Sequence, residues 1–238
     1  MVNKSKIHCN QNCNVTFKIL TGIVIALVVF ALGLGIGQVF RPAISPLPAA
    51  EAGTGERGAQ FGVDANINEA TIDNYLGRSD SVYRDMRMLE DPADYAAIGG
   101  DSYLSGYVEG FEVVSYPYLV NVTGLPEAVG KSYTGPTLFT INKDGSYTAN
   151  YQESMSILED LFPKDKNIFL MCGGAGYAGQ TKDLLTKLGW DASKIYNVGG
   201  YWFYEGEHNV TVKNDDGTYA FWKIPYHSID FATLTSVK

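Results

Sequence analysis

A cysteine followed by a glycine-rich turn is the part of this sequence whose residue types best suit chemistry. Residues 172–179 read CGGAGYAG and follow directly on the apolar run IFLM at 168–171. Glycines let the backbone curl so that several N–H groups point at one spot, and the positive end of a following helix strengthens this cradle for anions. We expect the cradle to favour the thiolate of Cys172, which is the nucleophilic form, and to hold a sulfur-bound anion such as a persulfide.

The alternative is that Cys172 is an inert cysteine at the end of a buried strand, and the spacing alone does not separate the two interpretations. The other two cysteines, Cys9 and Cys13, lie near the N-terminus, so the rest of the chain offers Cys172 no disulfide partner. A thiol kept without a partner favours a functional role. Together with His8, the N-terminal cysteines supply too few ligands for a closed tetrahedral site, and no metal is predicted.

The elements that must position Cys172 are strands that alternate with helices. The pattern predicts strands at 81–87, 168–171 and 194–198, helices at 68–76 and 155–162, a further helix that ends at Gly189, and a hairpin at 137–148 closed by Asp144-Gly145. Such alternation implies an α/β domain with three layers around a mainly parallel central sheet. Ligands of such sheets bind beyond the carboxyl ends of the strands, which is where Cys172 falls.

An apolar segment near the N-terminus has the length of a membrane span. Residues 19–40 (ILTGIVIALVVFALGLGIGQVF) form a run of 22 residues without a charge, enough for a helix that crosses a hydrocarbon core of about 30 Å. Lys4, Lys6 and Lys18 precede the run, so the positive-inside rule places the N-terminus in the cytoplasm and the rest of the chain outside. The sequence therefore predicts a single-pass protein of the cell membrane; the alternative is a signal peptide cleaved among the small residues at 48–52.

Four regions follow from these features: a basic cytoplasmic tail (1–18), a transmembrane helix (19–40), a linker rich in Pro, Gly and Ala (41–65) and a folded domain (66–238). The prolines and the weak apolar periodicity of the linker are typical of a spacer. A net charge of −8 argues against nucleic acid as a partner, because little basic surface is left to face the phosphates. An aromatic content of 13% excludes an intrinsically disordered chain.

Four segments, taken in order, resemble the rhodanese (sulfurtransferase) family over roughly residues 67–207. They are RDMR at 84–87 with EDPADY at 90–95, GYVEGF at 106–111 with SYP at 115–117, IFLMCGGAGYAG at 168–179, and QTKDLLTKLGW at 180–190 with IYNVGGYWFYEG at 195–206. The resemblance implies a rhodanese-like fold with an insertion at about 124–151 and a C-terminal extension at about 209–238.

The same resemblance assigns roles to individual residues. Cys172 would be catalytic and would carry sulfane sulfur as a persulfide, taken from a small donor such as a persulfide or thiosulfate and passed to a thiol acceptor. The anion cradle would consist of the backbone N–H groups of Gly173, Gly174, Ala175, Gly176 and Tyr177. Asp85 and Arg87 would form a buried ion pair that supports the loop. No cofactor is implied, the membrane is expected to be contacted through residues 19–40, and no particular protein partner is indicated.

The charges of the loop differ from the usual rhodanese pattern. Family members usually carry a basic residue beside the cysteine and often an Arg at the last loop position, whereas Gly173 and Tyr177 stand at these places. Loss of one charge-assisted contact weakens binding by roughly 1.5–3 kcal/mol, so the thiosulfate dianion suits this loop less well than a persulfide. The alternative function is therefore a catalytically inactive rhodanese-like module that binds a partner or senses redox state.

Overall fold

The computed structural model describes residues 45–55, 57–58, 61–87, 105–121 and 135–237. All of these residues except Ser45 belong to a compact unit that begins at Pro46. Among them, no helix has the length and apolar character that a membrane crossing requires. The predicted tail (1–18) and transmembrane helix (19–40) lie outside the described residues, as does most of the first half of the predicted insertion.

A parallel sheet of four strands forms the centre of the domain. The strands of the described residues are β1 (Ser81–Asp85), β2 (Gly106–Val108), β3 (Glu112–Val113), β4 (Phe139–Ile141), β5 (Tyr147–Ala149), β6 (Asn167–Cys172), β7 (Ile195–Gly200) and β8 (Asn209–Thr211). The central sheet has the order β3-β1-β6-β7, and all its neighbouring strands run parallel. The predicted α/β class with a mainly parallel central sheet is confirmed.

Strand β6 buries side chains on both faces of the sheet. Ile168 and Leu170 join one apolar cluster, whereas Phe169 and Met171, which alternate with them, join a second cluster on the other face. A continuous apolar run is typical of a parallel strand that is covered on both sides, which is why IFLM has no polar positions. Cys172 continues this alternation and falls in the same cluster as Ile168 and Leu170.

The helices of the described residues are α1 (Tyr116–Leu119), α2 (Ser154–Leu161) and α3 (Gly176–Lys187). Leu158 of α2 and Leu184 of α3 pack into the cluster that contains Leu170, so these two helices cover one face of the sheet. Helix α2 ends before Pro163, and Gly189, with φ of +97°, follows the end of α3. Both of the predicted longer helices are therefore present.

The helix predicted at 68–76 is only a 3-10 turn at Ile72–Tyr75. Side chains compete with the helical hydrogen bonds just before it: Asn68 Oδ1 accepts from Ala70 N at 3.1 Å, and Thr71 Oγ1 accepts from Asn68 N at 3.0 Å. Such local bonds from Asn and Thr offer the backbone an alternative to a helix. Further 3-10 turns lie at Ala192–Lys194, Tyr201–Phe203, Phe221–Lys223 and Phe231–Thr233.

Two antiparallel pairs lie outside the central sheet. β4 pairs with β5 through the turn at Asp144-Gly145, which confirms the predicted hairpin. β2 pairs with β8, a strand of the predicted C-terminal extension. Further along this extension, Tyr226 forms a parallel bridge with Val113 at the end of β3. The described part of the extension is thus built into the domain.

The described residues of the predicted linker also pack onto the domain. Tyr196 Oη donates to Pro48 O at 2.6 Å, and Ala50 N donates to Ser193 O at 2.8 Å. Asp64 N donates to Asn197 O on β7 at 2.8 Å. The compact unit therefore includes residues that the sequence assigned to a spacer, and these residues cover part of the sheet face opposite α2 and α3.

Candidate active site

Cys172 lies at the carboxyl end of the central strand, as predicted, and its sulfur is enclosed. It is the last residue of β6, it stands opposite Gly200 of β7, and only 3% of its surface is exposed. Backbone N–H groups of Gly174, Tyr177 and Ala178 face its sulfur and act to lower its pKa. Gly174 and Tyr177 belong to the predicted cradle, whereas Ala178 was not indicated by the sequence.

Burial decides the protonation state of Cys172. Removal from water raises the pKa of the thiol, and the nearby charge of Asp85 raises it further. The three N–H donors of the cradle act in the opposite direction, but they do not compensate, so the pKa lies above its ordinary value. The expectation that the cradle makes the thiolate the favoured form is therefore wrong for the enclosed cysteine, because desolvation outweighs the hydrogen bonds.

The loop after Cys172 has a strained conformation. Ala175 precedes α3 with φ of +80°, and among the described residues it is the one non-glycine residue with a positive φ. A left-handed alanine costs about 1–2 kcal/mol, and strain of this kind concentrates at functional sites. The turn places the N-terminus of α3, with the N–H groups of Tyr177 and Ala178, at the sulfur of Cys172.

Strand β7 and the turn after it pack against the loop that follows Cys172. A side chain on Gly200 would meet Gly173 O, so only glycine permits this close approach. Trp202 N donates to Gly173 O at 3.2 Å, and the indole of Trp202 lies against Gly174. Asn197 Nδ2 donates to Ala175 O at 3.3 Å and to Gly62 O at 2.8 Å. Asn197 therefore links Gly62, in the segment before β1, to the loop that follows Cys172.

Asp85 and Arg87 form the predicted buried ion pair. Arg87 Nη2 contacts Asp85 Oδ2 at 2.5 Å, its Nε contacts the same oxygen at 2.9 Å, and both side chains are enclosed. Arg87 also donates to Gly106 O at 3.0 Å, and its guanidinium lies 4.2 Å from the centre of the Tyr201 ring. Asp85 is paired with Met171 in the sheet, one residue before Cys172, so the pair stands next to the loop.

Tyr177 stands at the last position of the loop, so this position carries no positive charge. Its ring is buried against Tyr116, with the ring centres 5.0 Å apart, and burial raises the pKa of both hydroxyls. The backbone N–H of Tyr177 therefore contacts the sulfur of Cys172, whereas its side chain belongs to the core.

A second arginine–carboxylate pair lies beside the loop, and nothing in the sequence indicated it. Arg57 Nη2 contacts Glu69 Oε1, and the Arg57 guanidinium lies 4.0 Å from the centre of the Phe203 ring. Phe203 follows Trp202, which covers Gly174 of the loop. The two residues belong to no motif and are far from Cys172 in the sequence, so no local signal could have identified them.

Other candidate sites in the described part of the chain do not involve Cys172. Within that part, no group of three or more His, Cys, Asp or Glu side chains is suitably placed for a metal ion. A cavity of about 230 Å³ lies between α2 and residues 227–234, with Leu161, His227 and Asp230 among its lining residues. His227 Nε2 lies 2.7 Å from Glu112 Oε2, so the His227 side chain contacts a carboxylate at the edge of the sheet.

The chain matches no known family model. Comparison with curated proteins finds no significant match. Comparison with solved structures also finds none. The assignment of a function therefore depends on the residues of this chain.

Proposed function

We propose that this protein is a rhodanese-like sulfurtransferase that carries sulfane sulfur as a persulfide on Cys172. The observation that carries the proposal is the set of three backbone N–H groups, from Gly174, Tyr177 and Ala178, that surround the sulfur at the N-terminus of α3. Such donors stabilise an anion on a sulfur atom, and the position beyond the carboxyl end of a parallel strand is where ligands of α/β sheets bind.

The transfer consists of two displacements at sulfur without net oxidation or reduction. In the first, the sulfur of Cys172 attacks the outer sulfur of a donor R–S–SH; the new S–S bond forms, the donor S–S bond breaks, and the thiol proton leaves with the product RSH. In the second, an acceptor thiol attacks the outer sulfur of the Cys172 persulfide. The sulfur then moves to the acceptor, and the Cys172 thiol is restored.

Because the pKa of Cys172 is raised, the reaction requires the loop to move. The enclosed cysteine rests as a thiol, so the loop has to open to admit the donor and to hydrate the sulfur before the thiolate attacks. Once the outer sulfur is attached, the negative charge extends further into the cradle of N–H groups. Asp85 and Arg87 hold the end of β1 beside the loop without contacting the reacting atoms, so we assign them a structural role.

The proposal includes a three-layer rhodanese-like arrangement of the domain and anchoring by residues 19–40, with the domain outside the cytoplasm. The support for the anchor is the uncharged run of 22 residues preceded by lysines. External protease added to intact cells should therefore digest the domain. Full protection of the domain until the cells are lysed would contradict this placement.

The test of sulfur transfer is the intact mass of the full-length chain, purified in a mild detergent, after incubation with a polysulfide and separately with thiosulfate. Cys9 and Cys13 are replaced by Ser so that only Cys172 can react. We expect a gain of about one sulfur atom with polysulfide, discharged by a thiol acceptor. Cys172→Ser in the same background should show no gain, and thiosulfate should react more slowly because the loop carries no cation.

The second candidate is a non-catalytic module that binds a partner or senses redox state. Two observations favour it: the enclosure that raises the pKa of Cys172, and the absence of a basic side chain at positions 173 and 177 of the loop. A folded chain that gains no sulfur from either donor would establish this candidate in place of the transferase.

A further inference from the structure

One ion pair beside the Cys172 loop leaves a donor and an acceptor unused. Arg57 Nη1 and Glu69 Oε2 are both enclosed, and neither has a hydrogen-bond partner among the described residues. Buried polar atoms are almost always paired, so each exception calls for a physical explanation. Here the two exceptions belong to the same pair, because Arg57 Nη2 contacts Glu69 Oε1, and the free donor and the free acceptor therefore lie close together.

The carboxylate of Glu69 has a fixed position. Its side chain is only 10% exposed, and Oε2 lies over Gly199, where any side chain would collide with it. Gly199 sits at a β-bulge, because Leu170 pairs with Asn197 while Met171 pairs with Gly199. Bulges of this kind recur next to active sites, where they redirect the strand. The carboxylate is therefore fixed beside the last residues of β7.

Two paths of contacts connect Arg57 to the Cys172 loop. Its guanidinium lies on Phe203, and the neighbouring Trp202 covers Gly174. The second path starts at Gly58, the residue after Arg57. Asn197 Nδ2 donates to Gly58 O at 3.4 Å and also to Ala175 O of the loop. Arg57 is thus connected to the loop through two intermediate residues on each path, and its side chain is partly exposed.

We propose that Arg57 and Glu69 bind the α-carboxylate and the α-ammonium group of an amino-acid thiol, so that the donor of this enzyme is an amino-acid persulfide such as cysteine persulfide. A free guanidinium donor matches a carboxylate, and a free carboxylate oxygen matches an ammonium group. A thiosulfate dianion would satisfy Arg57 but would be repelled by the Glu69 oxygen. A zwitterion satisfies both atoms at once. This inference rests on the proposed sulfur transfer for its biological meaning, although binding can be tested without it.

The experiment measures ligand binding to the full-length Cys172→Ser chain in detergent by isothermal titration calorimetry. The probe is S-methylcysteine, which has both charged groups and no transferable sulfur. Two truncated probes complete the series: 3-(methylthio)propionate, which lacks the ammonium group, and 2-(methylthio)ethylamine, which lacks the carboxylate. We expect S-methylcysteine to bind about ten- to a hundredfold more tightly than either truncated probe, since each loses one charge-assisted contact.

Substitutions assign each charged group of the ligand to its residue. Arg57→Gln should weaken S-methylcysteine and 3-(methylthio)propionate while leaving the amine probe unchanged, and Glu69→Gln should show the reverse pattern. The matched control is Arg78→Gln, because Arg78 pairs with Asp80 immediately before β1, at the opposite edge of the sheet. This control should bind all three probes as the unsubstituted chain does. If Glu69→Gln fails to fold, the probe series on Arg57→Gln and on the parent chain still decides the question.

The outcomes separate this inference from the proposed function. Equal affinity for the three probes, or an unchanged affinity for S-methylcysteine in Arg57→Gln, would overturn the amino-acid site even if polysulfide still loads Cys172 with sulfur. Conversely, selective binding of S-methylcysteine together with no sulfur adduct on Cys172 would support the site and reject the transferase. Both would be supported if cysteine persulfide loads Cys172 faster than polysulfide does and Arg57→Gln removes that difference.

Discussion

Two of the arginine–carboxylate pairs in the described part of the chain, Arg87–Asp85 and Arg57–Glu69, differ in how completely their atoms are paired. Arg87 contacts Asp85 through Nε and Nη2, donates to Gly106 O and covers the Tyr201 ring. Arg57 contacts Glu69 through one nitrogen and leaves Nη1 unpaired, as Glu69 leaves Oε2. The first pair is fully enclosed, whereas the side chain of Arg57 is 39% exposed.

This difference separates a pair that maintains the fold from a pair that can accept a ligand. A buried pair in which every charge is compensated is strongly disrupted when one partner is removed. In the second pair the Arg57 side chain is partly exposed and two atoms already lack compensation, so this pair should contribute less to stability than the buried one. The structural role of Asp85 and Arg87 and the proposed binding role of Arg57 and Glu69 follow from this contrast, and each prediction below tests one side of it.

The largest effect is expected from Arg87→Ala, which leaves Asp85 as a buried charge without its partner. We expect the free energy of unfolding of the full-length chain to fall by about 3–5 kcal/mol, measured by guanidinium denaturation and tryptophan fluorescence. The double substitution Asp85→Leu with Arg87→Met should recover most of the loss, because no unpaired charge then remains.

Arg57→Ala is the matched comparison for Arg87→Ala. It removes an arginine from the other pair and should lower the free energy of unfolding less, by about 1–2 kcal/mol, because water can enter where the exposed part of Arg57 stood and solvate the Glu69 carboxylate. Equal losses in the two variants would show that both pairs are structural, and the contrast between them would be lost.

Gly199→Ala should have the next largest effect, because it acts on the pair that is proposed to bind a ligand. Gly199 has φ of +113°, and a β-carbon there would collide with Glu69 Oε2. We expect a loss of about 2–3 kcal/mol of unfolding free energy from backbone strain and displacement of the carboxylate. Binding of S-methylcysteine should weaken in the same variant, since Glu69 leaves its place.

The control for Gly199→Ala is Gly77→Ala. Gly77 also has a positive φ, of +71°, but a β-carbon there meets no atom within 4 Å. This variant should lose only about 1 kcal/mol and should bind the probe normally. If both variants lost the same stability, the backbone conformation alone would account for the effect, and the contact with Glu69 would have no energetic role.

The sequence was sufficient for the parts of the site that depend on local patterns. The apolar run before Cys172 identified β6, the leucine spacing identified α3, and both flank the loop as predicted. Asp85 ends β1 and Arg87 follows two residues later, and their buried pair was expected from the resemblance of this short segment to the rhodanese pattern. Periodicity and short spacings report on residues that share one element.

The sequence was insufficient where distant segments meet. Arg57 and Glu69 lie near the loop because the described residues between 46 and 65 pack on the sheet, although the prolines and glycines of this segment are typical of a spacer. The enclosure of Cys172 has the same origin: the apolar cluster beneath α2 and α3 buries a thiol that the loop motif alone would leave near solvent. Burial is a property of the whole fold, and for this reason the direction of the Cys172 pKa shift was predicted wrongly.

The smallest predicted effect concerns this pKa shift and the part that Asp85 has in it. In the unfolded chain the Cys172 thiol ionises near ~8.5, whereas burial and the charge of Asp85 hold its pKa higher in the folded protein. Above pH ~8.5 the unfolded state therefore loses a proton that the folded state keeps. The free energy of unfolding should fall by up to about 1.4 kcal/mol per pH unit until the folded-state pKa is reached, and this contribution should be fully present below pH ~8.5.

Cys172→Ala should remove this alkaline slope, measured by guanidinium denaturation between pH 8 and 10. The window ends there because the buried hydroxyls of Tyr116 and Tyr177, whose pKa values are also raised, add a similar slope above pH ~10. Asp85→Asn should end the slope at a lower pH without abolishing it, because the charge of Asp85 no longer raises the folded-state pKa whereas burial, the larger cause, still does. If the slope persisted unchanged in Cys172→Ala, the thiol would already ionise in the folded protein as it does in water, and its enclosure would no longer support the non-catalytic candidate.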